Sequence, residues 1–142
     1  MKENLSAKMM ITNVGDYLKK YGIKPSLQRI KIFEYLINHR NHPTVDTIYR
    51  ELVKEIPTLS KTTVYNTLNL FMEKDIVTVI TIEENEARYD ADTSFHGHFK
   101  CETCGNVYDF NLNSSHIKDD ILKKFEIKER HVYFKGKCES CL

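Results

Sequence analysis

The 142-residue chain contains no tryptophan, only five glycines and three prolines, and no repeat or low-complexity tract. A solenoid or a long flexible linker is thereby excluded, because neither the period nor the composition for it is present. Long apolar runs are missing too. The opening stretch MKENLSAKMMITNVGDYLKK is broken by Lys, Glu, Asn and Asp, which leaves no apolar core for a signal peptide. No later stretch approaches the ~18 residues of a membrane span, so a cytoplasmic protein without a membrane partner is expected. Charge of one sign is also scarce, with a formal net of +1. Divided along the chain, residues 1–82 carry 12 Lys+Arg against 8 Asp+Glu, whereas residues 83–142 carry 9 against 12. The first part is the one that could face a polyanion.

That first part has the order of a winged helix. A short amphipathic turn, VGDYLKKYG, is closed by Gly22. KPSLQRIKIFEYLINHR then offers Ser26 as an N-cap and places Ile30, Phe33 and Ile37 at helical spacing. TVDTIYRELVKEI follows with Ile48, Leu52 and Ile56 four apart, and Pro57 is expected to stop it. After a four-residue turn, Ser60 caps a helix in which Val64, Leu68 and Phe71 share one face. Thr62, Asn66, Asn69 and Glu73 lie roughly opposite, with Tyr65 at the edge. A polar face of this kind is commonly just solvated, but it can also hydrogen-bond phosphates and base edges in a major groove. VTVITIEENEARYDAD reads as two strands around an acidic turn, where a wing would stand.

The second part is organised by four cysteines, Cys101-x2-Cys104 and, after a gap of 33 residues, Cys138-x2-Cys141. Two CxxC pairs supply the four thiolates of a closed tetrahedral Zn²⁺ centre; two disulfides are the alternative, disfavoured by a cytoplasmic setting. The gap must hold a small structure: CGNVYDFNL as a strand, SSHIKDDILKKF as an amphipathic helix through Ile117, Ile121, Leu122 and Phe125, and EIKERHVYFKGKC as a strand through Ile127, Val132 and Phe134. Zinc would clip the first strand to the last and supply folding energy to a ~50-residue lobe.

The cysteines leave the neighbouring histidines free for a second site. In an extended stretch His96 and His98 point to one face, with Cys101 turned away into the knuckle. Asp90, Asp92 and Asp109 are nearby carboxylates. A His/Asp set without thiolate suits Fe²⁺ or Mn²⁺, although Zn²⁺ binds such donors more tightly in principle. His39, His116 and His131 read as surface or local hydrogen-bonding residues.

In order along the chain, IKPSLQR, NHPTVDTIY, SKTTVYNTL, RYDAD, HGH, FK, CETCG, VYDF and GKCESC resemble the ferric uptake regulator family of metal-dependent bacterial repressors. The resemblance implies an α+β fold, with a winged helix-turn-helix DNA-binding domain at 1–90 and a metal-binding α/β dimerisation domain at 91–142. It implies a homodimer on a palindromic double-stranded DNA operator, one structural Zn²⁺ per chain, and one regulatory Fe²⁺ or Mn²⁺ held by His42, Asp90, His96, His98 and Asp109. DNA contacts would come from Lys24, Ser26, Gln28, Arg29, Lys61, Thr62, Thr63, Tyr65 and Asn66. A site drawing His42 from one lobe and His96, His98 and Asp109 from the other is completed only when the lobes close, so metal favours the DNA-binding state.

Within the family the chain is similar to the peroxide-sensing branch, because Asp109 stands where iron sensors more often have Glu and Asn66 where they commonly have Arg. That branch implies Fe²⁺-catalysed oxidation of His42 and His96 by hydrogen peroxide, with release of DNA. Phe95 and Gly97 flank His96 where many members have further His or Asp, which argues against a third metal site.

Three other readings stand beside this one. The first is a reversible iron-, manganese- or zinc-responsive repressor. The second is a small non-haem metalloenzyme, which would leave the winged helix without a purpose. The third is a zinc-stapled interaction module with no DNA role.

Overall fold

Each described helix of the first half begins where a polar side chain can accept from an amide that has no partner within the helix. In the computed structural model, which describes residues 13–83, 85–112 and 120–142, Asn13 caps α1 (Val14–Lys20), Ser26 caps α2 (Leu27–Asn38), Thr44 caps α3 (Val45–Leu52) and Ser60 caps α4 (Lys61–Glu73). Ser26 accepts from Arg29 N–H at 3.2 Å, and Ser60 from Thr63 N–H at 3.1 Å. Each such cap contributes about 1 kcal/mol.

The chain separates into two units, Met1–Ser94 and Phe95–Leu142. In the first unit Leu18, Ile32, Phe33, Ile48, Val64, Leu68, Phe71 and Ile76 are fully enclosed. Each contributes about 1.5–3 kcal/mol by leaving water. Phe33 meets Phe71 edge to face, with centroids 5.5 Å apart, tying α2 to α4. Two short antiparallel strands, β1 (Thr78–Ile80) and β2 (Arg88–Asp90), complete the unit.

One boundary differs from the expectation. Helix α3 ends at Leu52 rather than running to Pro57, so residues 53–60 connect it to α4 where a four-residue turn was expected. A residue before proline is disfavoured in helical backbone. The chain tightens ahead of it, Glu55 and Ile56 both donating to the Leu52 carbonyl.

The second unit is a three-stranded mixed sheet in the order β4-β3-β5. Strand β3 (His96–Cys101) runs antiparallel to β4 (Val107–Asn111) and parallel to β5 (Tyr133–Gly136). β5 is shorter than the alternation from Ile127 suggested, because β3 pairs with it only from His98 to Cys101. The amphipathic helix expected for SSHIKDDILKKF falls in part on residues 113–119, outside the described residues, as does His116. Its described portion, Asp120–Lys124, is a 3-10 turn with Ile121 and Leu122 exposed, and Phe125 just beyond it is exposed as well. The reason is visible nearby: among the described residues of this unit, the buried side chains are His98, Cys101 and Cys138, and no large apolar side chain is buried. Those described residues form no local core for a helix face to join. The architecture as a whole is α+β, as expected. No helix among the described residues is long and apolar enough to cross a membrane.

Candidate functional site

The knuckle CETCG turns back because Gly105 adopts φ 80, a conformation that costs glycine little. Its N–H donates to the Cys101 carbonyl at 2.9 Å, which closes the turn. The parallel β3–β5 pairing then delivers Cys138 and Cys141 to the same end of the sheet. All four Sγ atoms lie within 4.8 Å of one another, with Cys104 and Cys138 at 3.8 Å. Zn–S bonds of about 2.3 Å in a tetrahedron require S···S edges of about 3.8 Å, so the four residues fit Zn²⁺.

The local backbone already favours anionic sulfur. Amide donors of Cys104 and Cys138, each 3.4 Å from the Cys101 sulfur, hold its thiol down at about 5. Cys141 is pushed up to about 12, chiefly by its hydrogen bond to Cys138. Four neighbouring thiolates are too much negative charge to gather without a cation. A bound cation reverses that order and deprotonates the set.

On β3 the two histidines share a face because their positions differ by two. The antiparallel register sets His98 opposite Asp109 and His96 one pleat further along. Asp109 Oδ1 accordingly lies 3.3 Å from His98 Nε2 and 3.4 Å from His96 Nε2. Gly97, between them, faces the other way. A Cβ there would stand 2.2 Å from the Phe110 ring, so only glycine lets that ring lie across the strand. The Phe110 ring stacks on Phe134 at 5.1 Å, backing the strand on the side away from the imidazoles.

In the first unit, His42 follows α2 and Asp90 ends β2. Their side chains are both buried, with His42 Nε2 3.5 Å from Asp90 Oδ2. Asp92, also considered above, instead pairs with Arg40 at 3.4 Å and accepts from Ser94 N–H at 2.9 Å. Within the first unit His42 meets Asp90, and within the second Asp109 meets His96 and His98, so each unit offers nitrogen and carboxylate oxygen and no sulfur. That donor chemistry fits a divalent cation of intermediate hardness such as Fe²⁺ or Mn²⁺.

Six of the nine expected DNA contacts, Lys24, Ser26, Gln28, Arg29, Thr63 and Asn66, line one open groove of about 760 Å³ between the start of α2 and the outer face of α4. Thr62 and Tyr65 are exposed on the same helix. Lys61 is instead engaged by Asp46 at 2.8 Å, a partner that no sequence signal singled out. Arg88, which strand alternation puts on the same face as Asp90, carries no motif signal of its own; it donates to the His42 carbonyl at 3.1 Å.

The remaining described histidines have local partners. His39 caps α2, stacks on Tyr35 at 4.1 Å and hydrogen-bonds the Tyr35 carbonyl through Nδ1. His131 bonds the Tyr133 hydroxyl and lies beside Glu129.

Comparison with known proteins adds an independent line. The profile of the ferric uptake regulator family matches residues 20–141. The peroxide operon regulator of Bacillus subtilis is 35% identical over 127 residues, covering 87% of this chain and 88% of that protein. A peroxide-responsive repressor of Staphylococcus aureus is 34% identical, with 87% and 86% covered. Among solved structures, the ferric uptake regulator of Vibrio cholerae superposes with a TM-score of 0.72 at 28% identity, covering 89% of this chain and all of that one.

Proposed function

This chain belongs to the ferric uptake regulator family, which makes it a metal-dependent transcription repressor and not an enzyme, and we propose that its signal is hydrogen peroxide. The observation that carries this reading is the separation of donors by chemistry. Four thiols gather at one end of the β3–β5 pair, while Asp109 stands within 3.4 Å of two imidazoles with no sulfur among them. The similarity to two peroxide regulators supports the same conclusion.

In this reading Cys101, Cys104, Cys138 and Cys141 hold one zinc per chain as a permanent brace. His42, Asp90, His96, His98 and Asp109 together hold one Fe²⁺ or Mn²⁺. Ferrous ion held by these residues would supply the reducing equivalents that cleave the O–O bond of hydrogen peroxide next to the imidazoles. A ring carbon of His42 or His96 would be the atom oxidised: overall one imidazole C–H becomes C–OH at the expense of one hydrogen peroxide, whose O–O bond breaks and whose second oxygen leaves as water. The altered ring is a poorer nitrogen donor, so the ligand set loses members that Asp90 and Asp109 cannot replace. A cation that needs donors from both units favours the arrangement in which both reach it, and that preference vanishes with the donors.

DNA is read by the outer face of α4, with Thr62, Thr63, Tyr65 and Asn66, and anchored by Lys24, Ser26, Gln28 and Arg29 at the start of α2. Two copies bind a palindromic operator in the cytoplasm. Dimerisation is supported by the second unit's exposed Ile121, Phe125, Ile127 and Phe134, which a partner copy would cover.

The test is tryptic mass spectrometry of Fe²⁺-loaded protein before and after brief hydrogen peroxide, beside a Mn²⁺-loaded control. A gain of one oxygen on the His42 or His96 peptide, with iron only, is expected. Metal-dependent DNA binding without that gain would replace peroxide by metal concentration as the signal.

A further inference from the structure

His42 has φ 56, in the left-handed region, and it precedes Pro43. A side-chain-bearing residue rarely adopts that backbone, and a following proline steers it toward extended conformations instead. Such a residue persists only where its surroundings fix it. Three consecutive residues of β2 do so. Arg88 Nη1 donates to the His42 carbonyl at 3.1 Å, Tyr89 N–H donates to the Pro43 carbonyl at 3.0 Å, and Asp90 Oδ2 lies 3.5 Å from His42 Nε2. The Nε of Arg88 is in turn held by Glu83, and both side chains are largely covered.

We propose that Arg88, braced by Glu83, is a positioning residue for metal capture: it holds the His42 backbone in the left-handed turn that aims the imidazole at Asp90. The inference rests on the reading of His42 as a regulatory ligand. The guanidinium suits the task because its planar fork reaches the His42 carbonyl and the Glu83 carboxylate at once, whereas a lysine ammonium on a flexible stem is a single point charge. The Tyr89–Pro43 hydrogen bond and the Thr44–Arg88 backbone bridge remain when the guanidinium is removed. Losing it therefore frees the turn without detaching the loop.

The test compares full-length, zinc-replete wild type with Arg88→Met, Arg88→Lys and His42→Ala. Mn²⁺ affinity is followed by EPR titration, zinc by elemental analysis, and the His42 turn by the strong intraresidue HN–Hα NOE of a positive φ in Mn²⁺-free protein. Arg88→Met is expected to weaken Mn²⁺ binding at least tenfold and to lose the NOE while retaining zinc; Arg88→Lys recovers part of both. Wild-type affinity in Arg88→Met overturns the proposal, as does joint loss of zinc and fold in both Arg88 variants, which would make the residue merely structural. Wild-type affinity in His42→Ala shows that the ligand reading itself has failed, and the inference falls with it. That outcome is distinct from one in which only the Arg88 variants are silent.

Discussion

Asp109 faces His98 directly across the β3–β4 pair, its Oδ1 3.3 Å from the histidine Nε2. One carboxylate thus serves both imidazoles of HGH, and the pleat rather than any loop sets the spacing. If Asp109 is a direct donor, as proposed, Asp109→Ala is expected to weaken regulatory metal binding by more than the ~10–100-fold typical of losing an outer hydrogen-bond partner. Zinc content and dimer mass should stay unchanged, as elemental analysis and sedimentation would report. Joint loss of both metals would mean that the two donor sets are not separate sites.

Cys101→Ser opens the thiol cluster at its most enclosed member. Structural zinc contributes on the order of 10–16 kcal/mol to folding in small zinc domains. The second unit has no large buried apolar side chain among its described residues to compensate. Loss of zinc, loss of the dimer and a collapsed thermal transition for residues 95–142 are expected, with the helical first unit retained by circular dichroism.

Gly97→Ala tests the packing behind the histidines. The new Cβ meets the Phe110 ring 2.2 Å away, so ring or strand must move, at a cost of about 1–3 kcal/mol. Adding Phe110→Leu should recover part of the loss in urea unfolding. A neutral Gly97→Ala would show that the ring is not confined.

Asn66→Ala and Tyr65→Ala, on the exposed face of α4, should each reduce operator affinity by about 1–3 kcal/mol where they touch base edges, with both metals retained. Equal loss on operator and random DNA would reassign them to phosphate contacts.

Asp46 holds Lys61 at 2.8 Å and Arg50 at 2.9 Å, and Lys61 in turn keeps the Asp46 carboxyl below the usual carboxylate range. Asp46→Asn should release Lys61 toward phosphate, steepening the salt dependence of DNA binding by about one unit of log K against log salt. An unchanged slope would place Lys61 away from the DNA.

The sequence by itself determined what depends on neighbours along the chain. Ser26 and Ser60 cap helices because the amides they satisfy lie three residues on, and His96 and His98 share a face because a strand alternates every two. The CxxC pairs announced zinc because thiolate chemistry and spacing are written in adjacent residues. Pro57 marked where α3 could not continue, though not that the chain would leave the helix at Leu52. Tertiary structure alone decided contacts between residues far apart in sequence. The β3–β4 register brought Asp109 to the histidines, and the Phe110 ring explained why Gly97 must be glycine. The fold also set Asp46 on Lys61 and closed Arg88 over the backbone of His42, 46 residues away. Local sequence carries propensity and donor chemistry; which donors meet is settled by the pairing of strands and the packing of helices, and those depend on the whole chain at once.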